Sequence, residues 1–347
     1  MTAALDRALL EDGTLRIVAD AATETQVGYW LPRLPADGVD PADSPDPADP
    51  ADPVGRARLA ESPDPDPACA AIEVRLSDVV VERPESPPAL ALGPVEGWIH
   101  GTDGVTLRAR DGSVGGAIDF VALEATLSVT PDAARPVATP HDPRNAAVHC
   151  ALTLASALLL NRMGRALLHA AAVVGPGGRA WLLVGDAFAG KTTTTVNLIQ
   201  AGWDWVSDDS VVLRRAEDGS VVVEGWPRVF HLDRGYHAGE STGTRDAVDP
   251  ASFGPGRWRR SARVAGVIFP RVEAELPTLA TSVPAADAFA RVVRQSPWLL
   301  ADRTVARDVA GLLTAAVAGP RVHLRLGRDC YRDTARLLDA LAAGGVA

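Results

Sequence analysis

Lysine is almost absent from this chain of 347 residues: 34 residues are lysine or arginine, and Lys191 is the single lysine among them. Positive charge is also in the minority, because the aspartates and glutamates number 44 and give a formal net charge of -10. Surfaces that collect nucleic acid or anionic lipid without sequence preference need clustered positive charge. We therefore expect neither a nucleic-acid partner nor a membrane partner.

Cysteine and long apolar runs are scarce as well. The three cysteines, Cys69, Cys150 and Cys330, lie far apart and form no C-x-x-C pair, so they predict no local metal cluster and fit a reduced protein. The most apolar run, residues 151–160, is about half of the roughly 20 residues that span a bilayer. The first residues lack the basic-then-apolar order of a secretory signal. The sequence thus predicts a cytoplasmic chain without a membrane segment.

The first part of the chain, residues 1–145, is predicted to form a β-rich module. Between about residues 35 and 68 the sequence repeats Asp-Pro and Ala-Asp-Pro, which removes backbone donors and accumulates like charge, so this insertion is predicted to be disordered. Residues 14–31 contain strand-like sequence, and short β segments follow from 70 to 129. Two turns between these segments contain Asp-Gly, a strong hairpin signal. We expect an antiparallel sheet without evident chemistry.

The remaining residues, 146–347, have the pattern of an α/β domain. A helix is predicted over residues 145–163, and the apolar segments RALLHAAAVV and RAWLLVGD predict buried strands. The second of these strands leads through a glycine-containing loop into a helix, and further strands and helices continue to the last helix, RDTARLLDALAA. Strand, loop, helix and strand in this order indicate an α/β nucleotide-binding core.

The sequence GDAFAGKT at residues 185–192 matches the phosphate-loop pattern G-x-x-x-x-G-K-[ST] at every fixed position. Backbone N–H groups of such a loop and the N-terminus of the following helix bind phosphate, and the threonine hydroxyl binds Mg²⁺. A lysine ammonium is compact and reaches between the β- and γ-phosphates, whereas a planar guanidinium fits badly, which explains the single lysine. The predicted nucleotide-binding residues are Gly185, Asp186, Ala187, Phe188, Ala189, Gly190, Lys191, Thr192 and Thr193.

An acidic pair follows this loop in the sequence. Asp208 and Asp209 come at the end of the predicted strand DWVS. Strand ends of an open α/β sheet face the ligand crevice, so one carboxylate is expected to bind Mg²⁺ with Thr192. The other is expected to act as general base toward a hydroxyl, and the sequence does not order the two roles. His169 lies among apolar residues on the strand before the loop, which fits either a packed core histidine or a site residue.

Four segments together, LLHAAAVV, WLLVGDAFAGKTT, AGWDWVSDDSVVL and VVVEGWPRVF, resemble the catalytic domain of the HPr kinase/phosphorylase family. The likeness is greatest to its shorter members, the HPr-kinase-like serine kinases found with ribosomal peptide biosynthesis, including that of lasso peptides. It covers residues 160–240 clearly and 262–340 in general pattern, and it does not cover residues 1–140. The resemblance implies a phosphoenolpyruvate-carboxykinase-like P-loop core with a mixed sheet.

The resemblance also implies roles for individual residues. The strand histidine of the family lies in the active site, which points to His169, and the loop with Lys191 holds ATP. The paired aspartates of the family serve as metal ligand and catalytic base. Glu224, which is followed by glycine as in the family, is a further and weaker metal-ligand candidate, and Arg228 is weaker still.

Two departures from the family pattern narrow what the resemblance implies. Ala187 and Phe188 stand where the family commonly has a serine and a second glycine. A tight hairpin at Asp218 and Gly219 replaces the long loop of the bifunctional enzymes. The first departure bears on the choice of nucleotide and on the rate, and the second argues against phosphorylase activity and against HPr itself as the acceptor.

The sequence leaves three functions open. The first is a kinase that uses Mg²⁺ and ATP to phosphorylate a hydroxyl, with serine as the expected acceptor, in a peptide or small protein. The second is a nucleotide-binding regulatory or scaffold protein without phosphotransfer, and the third is a kinase for free serine or another small metabolite. Hexamers occur among the bifunctional relatives, so a homo-oligomer is compatible with each. A cluster of Arg257, Arg259, Arg260 and Arg263 around Trp258 predicts either an anion-binding group or a solvated loop.

Overall fold

The structure, a computed structural model, describes residues 5–8, 10, 14–30, 69–78, 81–135, 143–225, 230–233, 235 and 245–346. The insertion predicted at about 35–68 lies outside these ranges. Arg228, the weakest of the predicted site residues, also lies outside them.

Eight strands of the N-terminal part form one sheet in the order β1-β2-β3-β8-β7-β6-β5-β4. The strands β2-β3 and β3-β8 pair in parallel and the other neighbours pair antiparallel, so the sheet is mixed rather than purely antiparallel. Gly112, in the turn between the sixth and seventh strands, has φ 75°, as the predicted Asp-Gly hairpin requires. The strands are β1 (Leu5–Ala8), β2 (Leu15–Ala19), β3 (Ala70–Leu76), β4 (Leu90–Leu92), β5 (Val95–His100), β6 (Gly104–Ala109), β7 (Val114–Asp119) and β8 (Glu124–Val129).

One helix, α2, packs against this sheet, and a short helix, α1, packs against α2. Helix α1 (Glu24–Trp30) occupies the second half of the segment predicted as strand-like, where its Trp30 indole donates to Thr153 Oγ1 at 3.1 Å. Helix α2 (Pro143–Arg162) is mostly buried and carries Thr153. Residues 24–30 form a helix rather than a strand, and this helix packs against α2. Within the described residues, no helix combines the length and apolar character that crossing a bilayer requires.

A second sheet of nine described strands builds the rest of the molecule. Its strands are β9 (Ala166–Leu168), β10 (Ala171–Val174), β11 (Ala180–Leu183), β12 (Asp204–Ser207), β13 (Val211–Arg215), β14 (Val221–Glu224), β17 (Ser261–Val272), β18 (Leu279–Ser282) and β19 (Arg321–Leu326). A separate antiparallel pair consists of β15 (Phe230–Asp233) and β16 (Arg245–Val248). The helices are α3 (Lys191–Gln200), α4 (Ala285–Gln295), α5 (Ala306–Ala316), α6 (Asp329–Arg332) and α7 (Thr334–Ala343).

Strand directions in this sheet bring four carboxyl ends to one edge. Strand β17 lies between β11 and β19 and pairs with both in parallel. Strand β10 pairs antiparallel with both β11 and β12, so β12 runs in the same direction as β11. The loops after β11, β12, β17 and β19 therefore leave from the same edge. The chain is a mixed α/β protein, and this edge is where ligands of α/β sheets usually bind.

The segment RALLHAAAVV is divided, whereas the sequence predicts one strand. Strand β9 pairs with β13, and β10 pairs with β11 and β12. His169 and Ala170 lie between the two strands, where the chain passes from one part of the sheet to the other. The backbone N–H of His169 donates to Ser296 Oγ at 3.0 Å instead of joining a strand ladder. This break between β9 and β10 places His169 at the edge of the sheet from which the loop after β11 leaves.

Candidate active site

The glycine-rich loop, residues 185–190, connects β11 to α3. Gly190 has φ 102°, a conformation that side chains with a Cβ rarely adopt, and an added Cβ would lie 2.6 Å from Leu326 Cδ1. A Cβ added to Gly185 would lie 2.9 Å from the Cβ of Ala189. Gly190 is thus required by its backbone conformation, and Gly185 by the close packing of the loop.

Lys191 begins α3 and turns its side chain back into the loop. The residue is only 7% exposed. Its Nζ donates to the backbone oxygen of Gly185 at 2.7 Å and to that of Asp186 at 3.2 Å. The same Nζ lies 3.3 Å from Nε2 of His169. The ammonium is therefore held at the mouth of the loop, beside the histidine.

His169 connects the lysine to one member of the acidic pair. Its Nδ1 lies 3.5 Å from Oδ1 of Asp209. An ammonium has only donors, so a hydrogen bond from Lys191 makes Nε2 the acceptor and leaves the ring proton on Nδ1, facing Asp209. This tautomer follows from the partners of the two ring nitrogens.

The two aspartates have different surroundings. Asp208 is 6% exposed, and its Oδ2 accepts from Thr192 Oγ1 at 3.4 Å. The side chain of Asp209 is 45% exposed and contacts His169. Its Oδ2 also accepts from Ser210 Oγ at 3.3 Å. One carboxylate thus lies against the helix with the threonine, and the other is open to a molecule that approaches from solvent.

Glu224 has a different environment from that expected of a metal ligand. Its Oε1 accepts from Arg214 Nε, and its Oε2 accepts from an Arg165 amino group at 3.0 Å. Two guanidinium groups satisfy the charge of this buried carboxylate, so its role in the structure is an ion pair. Among the described residues, no group of three or more histidine, cysteine, aspartate or glutamate side chains forms a metal centre.

Two residues at the end of α4 belong to the site although the sequence did not indicate them. The Gln295 amide donates to Oδ1 of Asp186 at 2.5 Å. Ser296 is fully buried and accepts from the backbone of His169. The indole of Trp298 fixes the same segment by donating to the backbone oxygen of Leu167 at 2.8 Å. No motif could have revealed them, because they lie more than 100 residues from the loop in sequence.

Phe188 is the most unusual residue of the loop. It has φ 65°, in the left-handed region, and it is 75% exposed. Bulky residues rarely adopt this conformation, and strain of this kind clusters at functional sites. The neighbouring Ala187 is exposed and Thr193 is half-buried on the first turn of α3.

The arginine cluster around Trp258 mostly makes internal contacts. Arg259 Nε is 2.7 Å from Oδ2 of Asp204, and Arg263 pairs with Asp218. The Trp258 indole donates to the backbone oxygen of Val206 at 3.2 Å. These contacts fix the segment before β17 to the neighbouring strands and favour the structural interpretation over an anion site.

The fold and the site define a mixed α/β protein in which a glycine-rich loop, a buried lysine and paired carboxylates meet at one sheet edge. No protein-family model matches the chain, and no curated protein sequence matches it significantly. Among solved structures, the HPr(Ser) kinase/phosphatase from Coxiella burnetii is similar at 13% sequence identity and a TM-score of 0.27. The match covers 52% of this chain and 92% of that chain. A likeness of this size carries no argument about activity, which rests on the residues of this chain.

Proposed function

We propose that the protein is a cytoplasmic kinase that uses ATP and Mg²⁺ to phosphorylate a hydroxyl, most simply that of serine in a peptide or small protein. The observation that carries this proposal is the convergence of Lys191, His169 and the pair Asp208 and Asp209, from three separate segments, around the glycine-rich loop. The proposal includes a phosphoenolpyruvate-carboxykinase-like type of core, which the mixed sheet supports.

The residues present fit a nucleotide and Mg²⁺. The loop closes tightly at Gly185 and Gly190 and ends at the N-terminus of α3, which favours anions. The hydroxyl of Thr192 and the carboxylate of Asp208 are hard oxygen donors 3.4 Å apart. Mg²⁺ in kinases is usually held by one or two protein oxygens together with phosphate oxygens. When bound, the ion neutralises charge on the phosphates.

In the proposed reaction, three side chains have separate roles. Lys191 gives up its hydrogen bonds to the backbone oxygens of the loop and binds oxygens of the β- and γ-phosphates instead. Asp209, which is half-exposed beside His169, accepts the proton of the acceptor hydroxyl. The Nδ1–H of His169 orients the Asp209 carboxylate. In the transfer, the hydroxyl oxygen bonds to the γ-phosphorus, the bond to the β-γ bridging oxygen breaks, ADP leaves, and the proton goes to Asp209.

The experiment is to incubate the purified protein with ATP and Mg²⁺ and a panel of serine-containing peptides and free serine, and to measure phosphorylated products by mass spectrometry. We expect a peptide product whose rate of formation falls about 100-fold or more in Lys191→Ala, because a preorganised charge at the transferred group is lost. Arg336→Ala, on the exposed part of α7, is the matched control for loss of one positive charge. Phosphorylation of free serine alone would instead assign the small-metabolite kinase.

Phe188 favours a second candidate, a nucleotide-binding regulatory protein without phosphotransfer. A strained and exposed phenylalanine within the loop is suited to contact a partner once nucleotide is bound. Tight, Mg²⁺-dependent ATP binding with no product across the whole panel would replace the kinase with this function.

A further inference from the structure

A group of basic side chains, four arginines and one histidine, lies on one face of the sheet beside the glycine-rich loop. We call this group the basic face, and its members are Arg271, Arg291, Arg294, His323 and Arg325. Register places Phe269 opposite His323 and Arg271 opposite Arg325 in the parallel pair β17-β19. Residues two apart in a strand point to the same side, so these four side chains share one face of the sheet.

Helix α4 covers part of this face and adds two arginines. The Arg291 guanidinium carbon lies 5.2 Å from the centroid of the Phe269 ring. Stacking on an aromatic ring holds a guanidinium in one orientation while its edge stays free to bind an anion. Arg294 follows three residues later, on the same side of the helix, and is exposed.

The charges of the basic face act on one another. Burial lowers the pKa of His323 below its usual value of 6.5, and the nearby Arg291, Arg271 and Arg325 lower it further, opposed by Glu273. Glu273 pairs with Arg271 at 3.2 Å and leaves the arginines in excess. The Arg271 side chain is nonetheless 69% exposed. In a chain with a net charge of -10, this is a local concentration of positive charge.

The basic face begins next to the site. Helix α4 ends at Gln295, which donates to Asp186 in the glycine-rich loop. Arg291 lies four residues earlier, or about 6 Å along the helix. From the strand side, a Cβ added to Gly185 would lie 3.5 Å from the backbone oxygen of Pro270, the residue before Arg271. The face therefore extends outward from the loop itself.

The phosphates expected in the loop do not use this face. Leu324 and Leu326 alternate with the basic residues along β19 and share the apolar cluster of Leu198 in α3. Helix α3, whose N-terminus faces the phosphates, thus lies on the opposite side of the sheet from the arginines. The basic face is therefore available to bind a different anionic group close to the transferred phosphate.

We propose that the basic face binds acidic side chains of the phosphate acceptor, so that the acceptor is a peptide with an acidic segment beside its serine. The acceptor part rests on the proposed kinase function, whereas the binding of an acidic peptide does not. A short acidic peptide fits better than a nucleic acid, because the net negative charge of the protein repels a long polyanion.

Binding is measured first, without ATP, by fluorescence anisotropy of two labelled peptides with one serine each, flanked by glutamates in one and by glutamines in the other. We expect the glutamate peptide to bind about tenfold more tightly, with the preference lost at high salt. The double variant Arg271→Gln/Arg325→Gln should lose most of the preference. Arg336→Gln is the matched control, because its side chain is 67% exposed and also pairs with a carboxylate, Asp333.

Transfer to the same peptides separates this inference from the kinase proposal. We expect the double variant to raise KM for the glutamate peptide with kcat unchanged. Equal use of both peptides, equal losses in Arg336→Gln, or tighter binding of a labelled oligonucleotide would each overturn the acidic-acceptor inference and leave the kinase intact. Binding that depends on Arg271 and Arg325 without transfer to any peptide would overturn the kinase and the acceptor role together.

Discussion

At the scale of single residues, the contact between Gln295 and Asp186 fixes the position of a carboxylate in the glycine-rich loop. A carboxylate in a loop that binds phosphate repels its ligand unless it is held away. The Gln295 amide donates to Asp186 Oδ1 at 2.5 Å and holds it. We expect Gln295→Ala to weaken ATP binding about fivefold, on the order of the 1 kcal/mol that such a hydrogen bond contributes. Isothermal titration calorimetry with ATP and Mg²⁺ measures the effect.

Variants of Asp186 provide the control for this prediction. Asp186→Ala removes the carboxylate, so adding Gln295→Ala should have little further effect on ATP affinity. The exchange Asp186→Asn/Gln295→Glu reverses donor and acceptor and should recover most of the affinity. If the losses of ATP affinity in the two single alanine variants simply add in the double variant, the contact does not act on nucleotide binding.

The predictability of the site from sequence also differs from residue to residue. Lys191 and Thr192 could be predicted because loop and helix are contiguous, so their spacing fixes their geometry. Asp208 could be placed because the strand before it ends at the ligand edge. Glu224 was predicted as a weaker metal ligand, but the partners of its carboxylate are set by tertiary packing that no local spacing encodes. Two arginines hold it, Arg165 just after α2 and Arg214 on β13.

At the scale of elements, the sequence predicts periodic segments well and strand partners poorly. The helix expected at 145–163 corresponds to α2 (Pro143–Arg162), and the loop between β11 and α3 lies where the motif placed it. The apolar run around His169 has no local break signal, yet the chain changes partners there. At that point the backbone N–H of His169 donates to Ser296, which belongs to a segment more than 100 residues away in sequence.

Strand β19 carries a pH-sensitive group that tests the packing of the sheet face. His323 faces Arg291 of α4, Arg271 of β17, Glu273 just after β17, and Arg325 of its own strand, with Thr281 of β18 opposite in register. Because its pKa is lowered in the folded state, the unfolded chain binds a proton more readily below pH 6.5. The stability contributed by neutral His323 is therefore present above pH 6.5 and is lost as pH falls toward the folded pKa.

Urea unfolding of the wild type and of His323→Gln between about pH 7.5 and about pH 5.5 measures this contribution. We expect the wild type to lose more unfolding free energy across this interval than the variant, since glutamine does not titrate. Carboxylates contribute equally to both proteins and cancel in the comparison. An identical loss in both proteins would contradict the lowered pKa of His323.

At the scale of the whole molecule, the N-terminal sheet and the site share one apolar core. A single cluster of buried side chains continues from β1 through α2 to α5. At the end of α2, Arg162 pairs with Asp302, donates to the backbone oxygen of Thr102 at 3.2 Å and lies 4.1 Å from the Phe120 ring centroid. Asp302 lies six residues after Ser296, which accepts a hydrogen bond from the backbone of His169. The N-terminal sheet therefore supports the site through Arg162 and Asp302. The sequence separated the two parts at residue 145 by composition, and that boundary stays a prediction.

In the proposed kinase, Asp209 is the base of the phosphotransfer and Asp208 is a ligand of the Mg²⁺ that binds with the nucleotide. The measurement is ATP affinity and single-turnover transfer to the best acceptor of the peptide panel, compared in Asp209→Asn and Asp208→Asn. We expect Asp209→Asn to keep nucleotide affinity within about twofold and to lose about 100-fold or more in transfer rate, and Asp208→Asn to weaken Mg²⁺-dependent ATP binding. Undiminished transfer by Asp209→Asn would contradict the role of Asp209 as the base.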